Sequence, residues 1–190
     1  MIIMSNDSLF LEPTRDVARA LLGCVLFRVT EHGRVAGRIV ETEAYVDDDP
    51  ANHASRGKTK RNASMFGPPG HAYVYRIHQV FCLNIVTRPE GVGEAVLIRA
   101  VEPTEGLDIM AARRKTDKPR LLASGPGRLC QAFDIDKSLD GMPLDGDGLG
   151  LYRADQPVTQ IVTRPRVGIS RGVDKPLRFY IADNEYISKR

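Results

Sequence analysis

The chain contains no tryptophan, and aromatic residues of all kinds make up only 6% of its 190 residues. Its three cysteines, Cys24, Cys82 and Cys130, lie far apart and form no Cys-x-x-Cys pair. The four histidines show no metal-ligand spacing. The sequence therefore predicts neither a disulfide framework nor a zinc site, and we expect three reduced thiols in apolar surroundings.

Long apolar runs are also missing, and the segment at residues 1–7 is too short and too polar for a signal peptide. We therefore expect a soluble protein of the cytoplasm (of the nucleoid, if bacterial) without a membrane partner. The length and a hydrophobic fraction of 42% fit one domain spanning residues 1–190. The net charge of +3 is too small to identify a partner.

Strand-like segments dominate the chain, and short helical segments are scattered between them. The pattern predicts strands at residues 25–29, 38–45, 71–75, 81–87 and 95–101, and helices at 14–22, 105–114 and 128–133. Residues 143–150, rich in Gly and Asp, read as a loop. Because neighbouring strands follow one another directly, the fold class we predict is α+β, around an antiparallel sheet.

Acidic residues are absent between Pro50 and Pro89, while several basic residues occur there. They are Arg56, Lys58, Lys60, Arg61, Arg76 and Arg88. A basic run of this kind is often only a solvated loop, but it also suits the binding of several phosphates.

Two glutamates lie on the second predicted strand. Alternation puts Glu41, Glu43 and Tyr45 on one face, with the two carboxylates roughly 7 Å apart at the backbone. If the face is enclosed, like charges this close raise at least one pKa. The alternative is an exposed face with ordinary solvated acids. A sugar-directed glycosidase also uses two carboxylates, but the scarcity of aromatic residues disfavours it.

Tyr73 and Tyr75 also share one strand face, and Arg76 follows them. Such rings are more often cross-strand packing than a ligand platform. With a cation beside them they can also stack a nucleobase. His53, in a polar loop, reads most simply as a surface histidine.

Taken together, these segments resemble one family along nearly the whole chain, the alkyladenine (3-methyladenine) DNA glycosylases. The segments that carry the resemblance are Arg38-Ile-Val-Glu-Thr-Glu-Ala-Tyr45, Arg61-Asn62, Met65-Phe66, Tyr73-Val-Tyr75, Cys82-Leu-Asn84, Val96-Leu-Ile-Arg99, Ser124-Gly-Pro-Gly-Arg-Leu-Cys-Gln131, Arg166-Val-Gly168 and Lys175-Pro-Leu-Arg-Phe-Tyr180. The resemblance implies a single domain with a curved antiparallel sheet surrounded by short helices.

The resemblance also implies an activity. Family members extrude alkylated or deaminated purines from duplex DNA and hydrolyse the N-glycosidic bond, without a metal or organic cofactor. Extrusion is needed because C1′ of the sugar cannot be reached inside the stack. The implied enzyme is monofunctional, its partner is damaged duplex DNA, and a monomer suits it.

Residue roles follow from the same resemblance. Glu43 looks like the general base that activates a water, and Arg99 looks like the residue that holds this water with it. Glu41 does not correspond to a catalytic acid of the family.

The pocket for the extruded base is assigned in the same way. Tyr45, His53 and Tyr75 look like its walls, and Asn84 looks like the residue that crowds out the amino group of guanine.

The tip of the strand pair after Tyr75 departs from the family pattern. Family members usually carry an aromatic or bulky wedge there, whereas this chain reads Arg76-Ile77-His78-Gln79. Ile77 or His78 is the expected wedge. The basic residues 56, 58, 60, 61 and 76 are the expected phosphate contacts.

Two other interpretations stay open from the residues alone. The basic stretch fits a nucleic-acid-binding module without catalysis, and the carboxylates fit a hydrolase of free nucleosides or sugars.

Overall fold

A computed structural model describes residues 2–5 and 7–189. It confirms the α+β class, with a curved antiparallel sheet and three short α-helices. The strands are β1 (Val25–Thr30), β2 (Gly33–Tyr45), β3 (Ala72–Ile77), β4 (Val80–Thr87), β5 (Glu94–Glu105), β6 (Leu149–Tyr152), β7 (Ile161–Arg164) and β8 (Arg178–Ile181). The α-helices are α1 (Thr14–Ala20), α2 (Leu107–Arg114) and α3 (Pro126–Phe133).

The long strand β2 organises the sheet. The strand order is β3-β4-β5-β2-β1-β6, and β8 also pairs with β2 while β7 pairs with β8. β5 follows β2 along one edge. On the other edge, β1 pairs with its first half and β8 with residues Glu41 to Glu43. The neighbour of β2 on this edge therefore changes from β1 to β8 at the segment that carries the two glutamates.

The main core packs the helices against one face of the sheet. Thr42 donates through Oγ1 to the carbonyl of Ala18 at 2.8 Å, so α1 covers the Thr42 face of β2. Val17 and Met110, from α1 and α2, are fully buried there with Ile98 of β5. The opposite face of β2, which carries Glu41 and Glu43, is thus left for the polar site.

The structure differs from the sequence-based prediction at several element boundaries. The predicted loop at residues 143–150 ends early, because β6 begins at Leu149 and pairs with β1. The helix predicted from residue 105 begins at Leu107, since β5 continues to Glu105. The helix α1 ends at Ala20, before the turn that leads to Gly23.

Among the described residues, no helix has the length and apolar character to cross a membrane. Within the same residues, no group of three or more His, Cys, Asp or Glu side chains is arranged to hold a metal ion. Cys24, Cys82 and Cys130 are buried free thiols.

Candidate active site

The side chains of Glu41 and Glu43 are both completely buried. This finding excludes the alternative of an exposed strand face with solvated acids. β2 is irregular here, with register shifts against β5 on both sides of Glu41. Such bulges redirect side chains locally, and the two carboxylates enter one polar cluster.

The carboxylate of Glu43 is held by three groups. Its Oε2 accepts a hydrogen bond from the hydroxyl of Tyr45 at 3.0 Å and lies 3.3 Å from Nη1 of Arg99. Its Oε1 accepts from the backbone N–H of Val167 at 2.7 Å. These contacts fix the carboxylate in one orientation.

Burial raises the pKa of Glu43 above its ordinary value, because the charged form loses water. Arg99, the Val167 amide and the Tyr45 hydroxyl each act in the opposite direction, and Glu41 adds the smallest contribution. The expected direction of the pKa shift is therefore correct. Its main cause, however, is desolvation and not the neighbouring carboxylate.

Glu41 has charge partners of its own. Its Oε1 accepts from Nη1 of Arg178 at 2.9 Å and lies 3.4 Å from Nε of Arg99. Its Oε2 accepts from the backbone N–H of Ser188 at 2.6 Å. Because Arg178 balances Glu41, Arg99 remains available to Glu43. Burial acts to lower the pKa of Arg99, but the charges of Glu43 and Glu41 outweigh it and raise the pKa, so Arg99 stays cationic.

A cavity of about 90 Å³ lies next to this cluster, and Tyr45, whose hydroxyl donates to Glu43, forms part of its wall. Glu43 and Arg99 themselves do not line it. Most of its walls are aromatic or apolar, and one amide faces it. The lining residues are Tyr45, Ala51, His53, Met65, Tyr73, Tyr75, Ile77, Asn84, Gly168 and Ile169. The four residues expected to form a base pocket, Tyr45, His53, Tyr75 and Asn84, are thus all brought together.

Three of the side chains that line the cavity, His53, Tyr73 and Tyr75, form an aromatic cluster. The ring centroids of His53 and Tyr75 are 4.5 Å apart in an edge arrangement, and those of Tyr73 and Tyr75 are 5.5 Å apart. Nδ1 of His53 lies 2.9 Å from the hydroxyl of Tyr73. Burial and the charge of Arg61 lower the pKa of His53, which favours a neutral imidazole that can stack.

Asn84 is fixed at the cavity wall from a buried position. It pairs in register with Tyr73 across β3 and β4, and its Nδ2 donates to the Tyr73 carbonyl at 3.1 Å. This bond leaves the rest of the amide facing the cavity.

The five basic residues expected to contact phosphates are all exposed, but they occupy different sides of the cavity, while Arg88 is partly buried. Arg56 and Arg61 line a cleft of about 550 Å³ that shares His53 and Tyr73 with the cavity. A separate groove of about 540 Å³ is strongly cationic. It is lined by Lys60, Arg61, Tyr75, Arg76, His78, Phe81 and Lys137.

Lys58 lines neither the cleft nor the groove. Its Nζ lies 5.8 Å from the ring centroid of Phe66.

The tip of the β3–β4 hairpin is a two-residue turn formed by His78 and Gln79. His78 has a φ of 52°, in the left-handed region. Ile77 and Val80 flank the turn as a register pair and remain 41% and 44% exposed. An exposed aliphatic pair at a cationic groove suits insertion into an apolar or stacked environment.

Sequence reasoning did not assign roles to several residues that contact the site. Val167 supplies a backbone N–H to Glu43, and its carbonyl accepts from Arg99 at 3.4 Å. No side-chain pattern signals a backbone donor. Tyr73 was recognisable from its alternation with Tyr75, although nothing in the pattern distinguished a cavity wall from packing.

Comparisons with known proteins agree with this geometry. A family model described as Methylpurine-DNA glycosylase (MPG) matches residues 8–185. A protein of Methanoculleus marisnigri is 54% identical over 182 residues, covering 93% of this chain and 94% of its own. One of Nitrosospira multiformis is 49% identical over 188 residues, covering 98% and 95%.

A third relative, from Agrobacterium fabrum, is 50% identical over 185 residues, which cover 97% of this chain and 92% of its own. All three carry the name "Putative 3-methyladenine DNA glycosylase". The matches span almost the full length of both partners. The chain therefore belongs to the methylpurine-DNA glycosylase family, and it is an enzyme of the DNA glycosylase class.

Proposed function

We propose that the protein removes alkylated purines from duplex DNA by hydrolysing the N-glycosidic bond and leaves an abasic site. One observation carries the proposal. The buried carboxylate of Glu43, paired with Arg99, accepts a hydrogen bond from Tyr45, which is one wall of an aromatic cavity beside a cationic surface. A carboxylate, a slot for a flat ring and phosphate contacts are the three parts that this reaction needs.

In the proposed mechanism, Glu43 acts as a general base. It takes a proton from a water whose oxygen attacks C1′, while the electrons of the glycosidic bond leave with the base. A pKa raised by burial makes the carboxylate a stronger proton acceptor. Arg99, 3.3 Å from Glu43, helps to hold the water. The anion also stabilises the positive charge that develops on the sugar.

The extruded base stacks among Tyr45, Tyr75 and His53 in this proposal, with Asn84 at its edge. Pockets for small ligands usually enclose about 300 Å³ or more, and the cavity holds about 90 Å³. Entry of a purine therefore requires a wall to move. Ile77 and His53 are the exposed side chains among the lining residues, and we infer that Ile77, at the tip of the hairpin, is the one that moves.

The basic residues are proposed to hold the DNA backbone. Lys60, Arg61 and Arg76 line the groove beside the hairpin, and Arg56 lines the cleft beside the base cavity. Lys58 lies in the same loop. Ile77 or His78 would insert at the tip of the hairpin, where the extruded base had been stacked.

The proposed enzyme is monofunctional, because a lyase step needs an amine nucleophile at the sugar. The part of the cavity wall that the structure describes contains no lysine. Borohydride should therefore trap no covalent complex between the protein and DNA. A trapped complex would contradict the monofunctional mechanism.

The decisive variant is Glu43→Gln, which keeps the shape of the side chain and removes the base. We expect it to abolish base release from a duplex carrying an alkylated purine while lesion binding persists. Release is measured by alkaline cleavage of abasic sites under single-turnover conditions, and binding by fluorescence anisotropy. Unchanged release would remove Glu43 from the mechanism, and binding without release by the wild type would favour a non-catalytic module.

Two further substrates complete this assay. An alkylated purine leaves as a neutral base without much help from an acid, whereas hypoxanthine needs a proton. Among the residues that line the cavity we find no carboxyl group that could serve as an acid. We therefore expect faster release of 3-methyladenine than of hypoxanthine. Efficient cleavage of free nucleosides would instead favour a nucleoside hydrolase.

A further inference from the structure

Two loops that flank the cavity are joined by a buried ion pair. The first loop (residues 46–62) follows β2 and carries His53, and the second loop (residues 165–177) precedes β8 and carries Val167. Asp49 and Arg166 meet between them with fully buried side chains. Both oxygens of Asp49 accept from the guanidinium, with Oδ1 at 2.8 Å from Nη2 of Arg166.

Each partner is also bonded to the backbone around it. Nη1 of Arg166 donates to the carbonyl of Ala44 at 3.0 Å, near the end of β2. Oδ1 of Asp49 accepts from the N–H of Ala51 at 3.2 Å, in the first loop. The pair therefore fixes the end of β2 and both loops relative to one another.

The same pair reaches Glu43 by two routes. The guanidinium of Arg166 lies over the ring of Tyr45, 4.7 Å from its centroid, and the hydroxyl of this tyrosine donates to Glu43. The residue after Arg166 is Val167, whose N–H donates to the other oxygen of Glu43. Two of the three groups on the carboxylate thus depend on where Arg166 lies.

A contribution to the stability of the fold is not enough to explain the buried ion pair of Asp49 and Arg166. Removing two charges from water costs about as much as their attraction returns, and apolar replacements of similar volume are often neutral or stabilising. Nε of Arg166 is buried without a hydrogen-bond partner among the described residues, which adds a further cost. The pair of Lys175, partly buried, and Asp48, exposed, joins the same two loops at a lower desolvation cost.

We infer that Asp49 and Arg166 are a positioning pair, which holds the Tyr45 ring and the Val167 amide against the carboxylate of Glu43. The pair touches neither DNA nor the reacting atoms, and it acts through these two groups. This inference rests on the proposed role of Glu43 as the base.

The test uses Asp49→Asn, which keeps the volume and removes the charge. We expect the single-turnover rate of base release to fall by about a hundredfold, the loss typical of a displacement near 1 Å in an active site. The affinity for undamaged duplex should stay within about threefold of the wild type, since no phosphate contact changes. Asp48→Asn is the matched control, because it makes the same change at the adjacent, exposed aspartate.

A pH profile separates positioning from general loosening of the fold. The Val167 amide and the Tyr45 hydroxyl hold the pKa of Glu43 down, against the effect of burial. Losing them raises this pKa, so the acid limb of the rate profile should move to higher pH in Asp49→Asn. The other ionisable groups that act on Glu43, Arg99 and Glu41, are unchanged by the substitution.

The double variant Asp49→Leu/Arg166→Met covers the possibility that a single substitution unfolds the protein. It replaces the ion pair by apolar side chains and is expected to fold with a stability close to that of the wild type. It should still release base slowly. Rates within about threefold of the wild type in a folded variant, with an unmoved acid limb, would overturn the inference.

The outcomes for the two proposals are distinct. If wild-type protein releases no base, or Glu43→Gln releases it normally, the proposed function fails and the positioning role falls with it. If the wild type is active and Glu43→Gln is not, but Asp49→Asn equals Asp48→Asn, only the positioning role fails.

Discussion

At the scale of single residues, Glu43 combines a buried position with a proposed task, proton acceptance, that needs the charged form. Burial makes the ionised carboxylate costly, and Arg99 and two hydrogen-bond donors offset only part of this cost, since the pKa remains raised. A carboxyl group with a raised pKa stabilises the fold when protonated, and this stabilisation is lost as the pH rises through the folded-state pKa. The active form of the site is therefore the less stable one.

Glu43→Gln, although inactive, should accordingly be more stable than the wild type at a pH where Glu43 of the wild type is ionised. The glutamine oxygen can accept from the Val167 amide, and its NH2 can donate to the Tyr45 hydroxyl, without the cost of a buried charge. We expect a higher melting temperature at pH 8, by about 2–4 °C per kcal/mol gained in a chain of this size. The gain should shrink as the pH falls towards about 4.5, the ordinary range of a glutamate.

Thermal unfolding of both proteins between pH 4.5 and 8 checks this expectation. Glu90→Gln, the same change at an exposed glutamate, is the control and should leave the melting temperature unchanged. A Glu43→Gln protein that is less stable than the wild type at pH 8 would mean that the contacts of the charge outweigh its desolvation.

The residues of the site differ in how well they can be predicted from the sequence. Strand alternation was enough to associate Glu41, Glu43 and Tyr45. Arg99 and Asn84 came only from the resemblance, because they lie on other strands and no local pattern joins them to Glu43. The backbone amide of Val167 was not predictable, since it reaches Glu43 from 124 residues further along the chain.

At the scale of elements, the sequence separation between paired strands explains why some pairings of the sheet were predictable and others were not. The connections β1–β2, β3–β4 and β4–β5 are short, although residues 46–71 separate β2 from β3, and hydrophobic alternation and turn residues locate these five strands. β6 has only four residues, and its pairing with β1 depends on a segment far away in sequence. The pairing of β8 with the second half of β2 is equally non-local. This pairing places Arg178 in contact with Glu41.

In the proposed function, the β3–β4 hairpin is the element that opens the DNA stack. Ile77 is exposed at its tip and also lines the base cavity. Truncation by Ile77→Ala removes about 1–2 kcal/mol of apolar contact if the side chain is inserted. We therefore expect about a tenfold slower release of a damaged purine paired within a duplex.

Release from an unpaired bulge provides the internal control, because little stacking has to be disrupted there. Ile77→Ala should approach the wild-type rate on that substrate. Val29→Ala, at a similarly exposed aliphatic residue on β1, should behave as the wild type on both substrates. If His78→Ala rather than Ile77→Ala slows release from the paired duplex, then the imidazole is the wedge.

At the scale of the whole molecule, the distribution of charge matters more than its sum. The net charge of +3 is small, but Lys60, Arg61 and Arg76 converge on one groove beside the cavity. Helix α1 covers the opposite face of β2. We propose that this asymmetry turns the groove towards DNA, where each phosphate neutralised would release counterions.

This asymmetry predicts the salt dependence of DNA binding. A plot of log Kd against log salt concentration should lose about 0.9 from its slope for each phosphate contact removed. Lys60→Gln should show this loss, because its side chain lines the groove. Arg15→Gln, an equal change of charge on the exposed part of α1, should weaken binding little and leave the slope unchanged. Equal slopes for the two variants would mean that net charge, rather than the groove, attracts DNA.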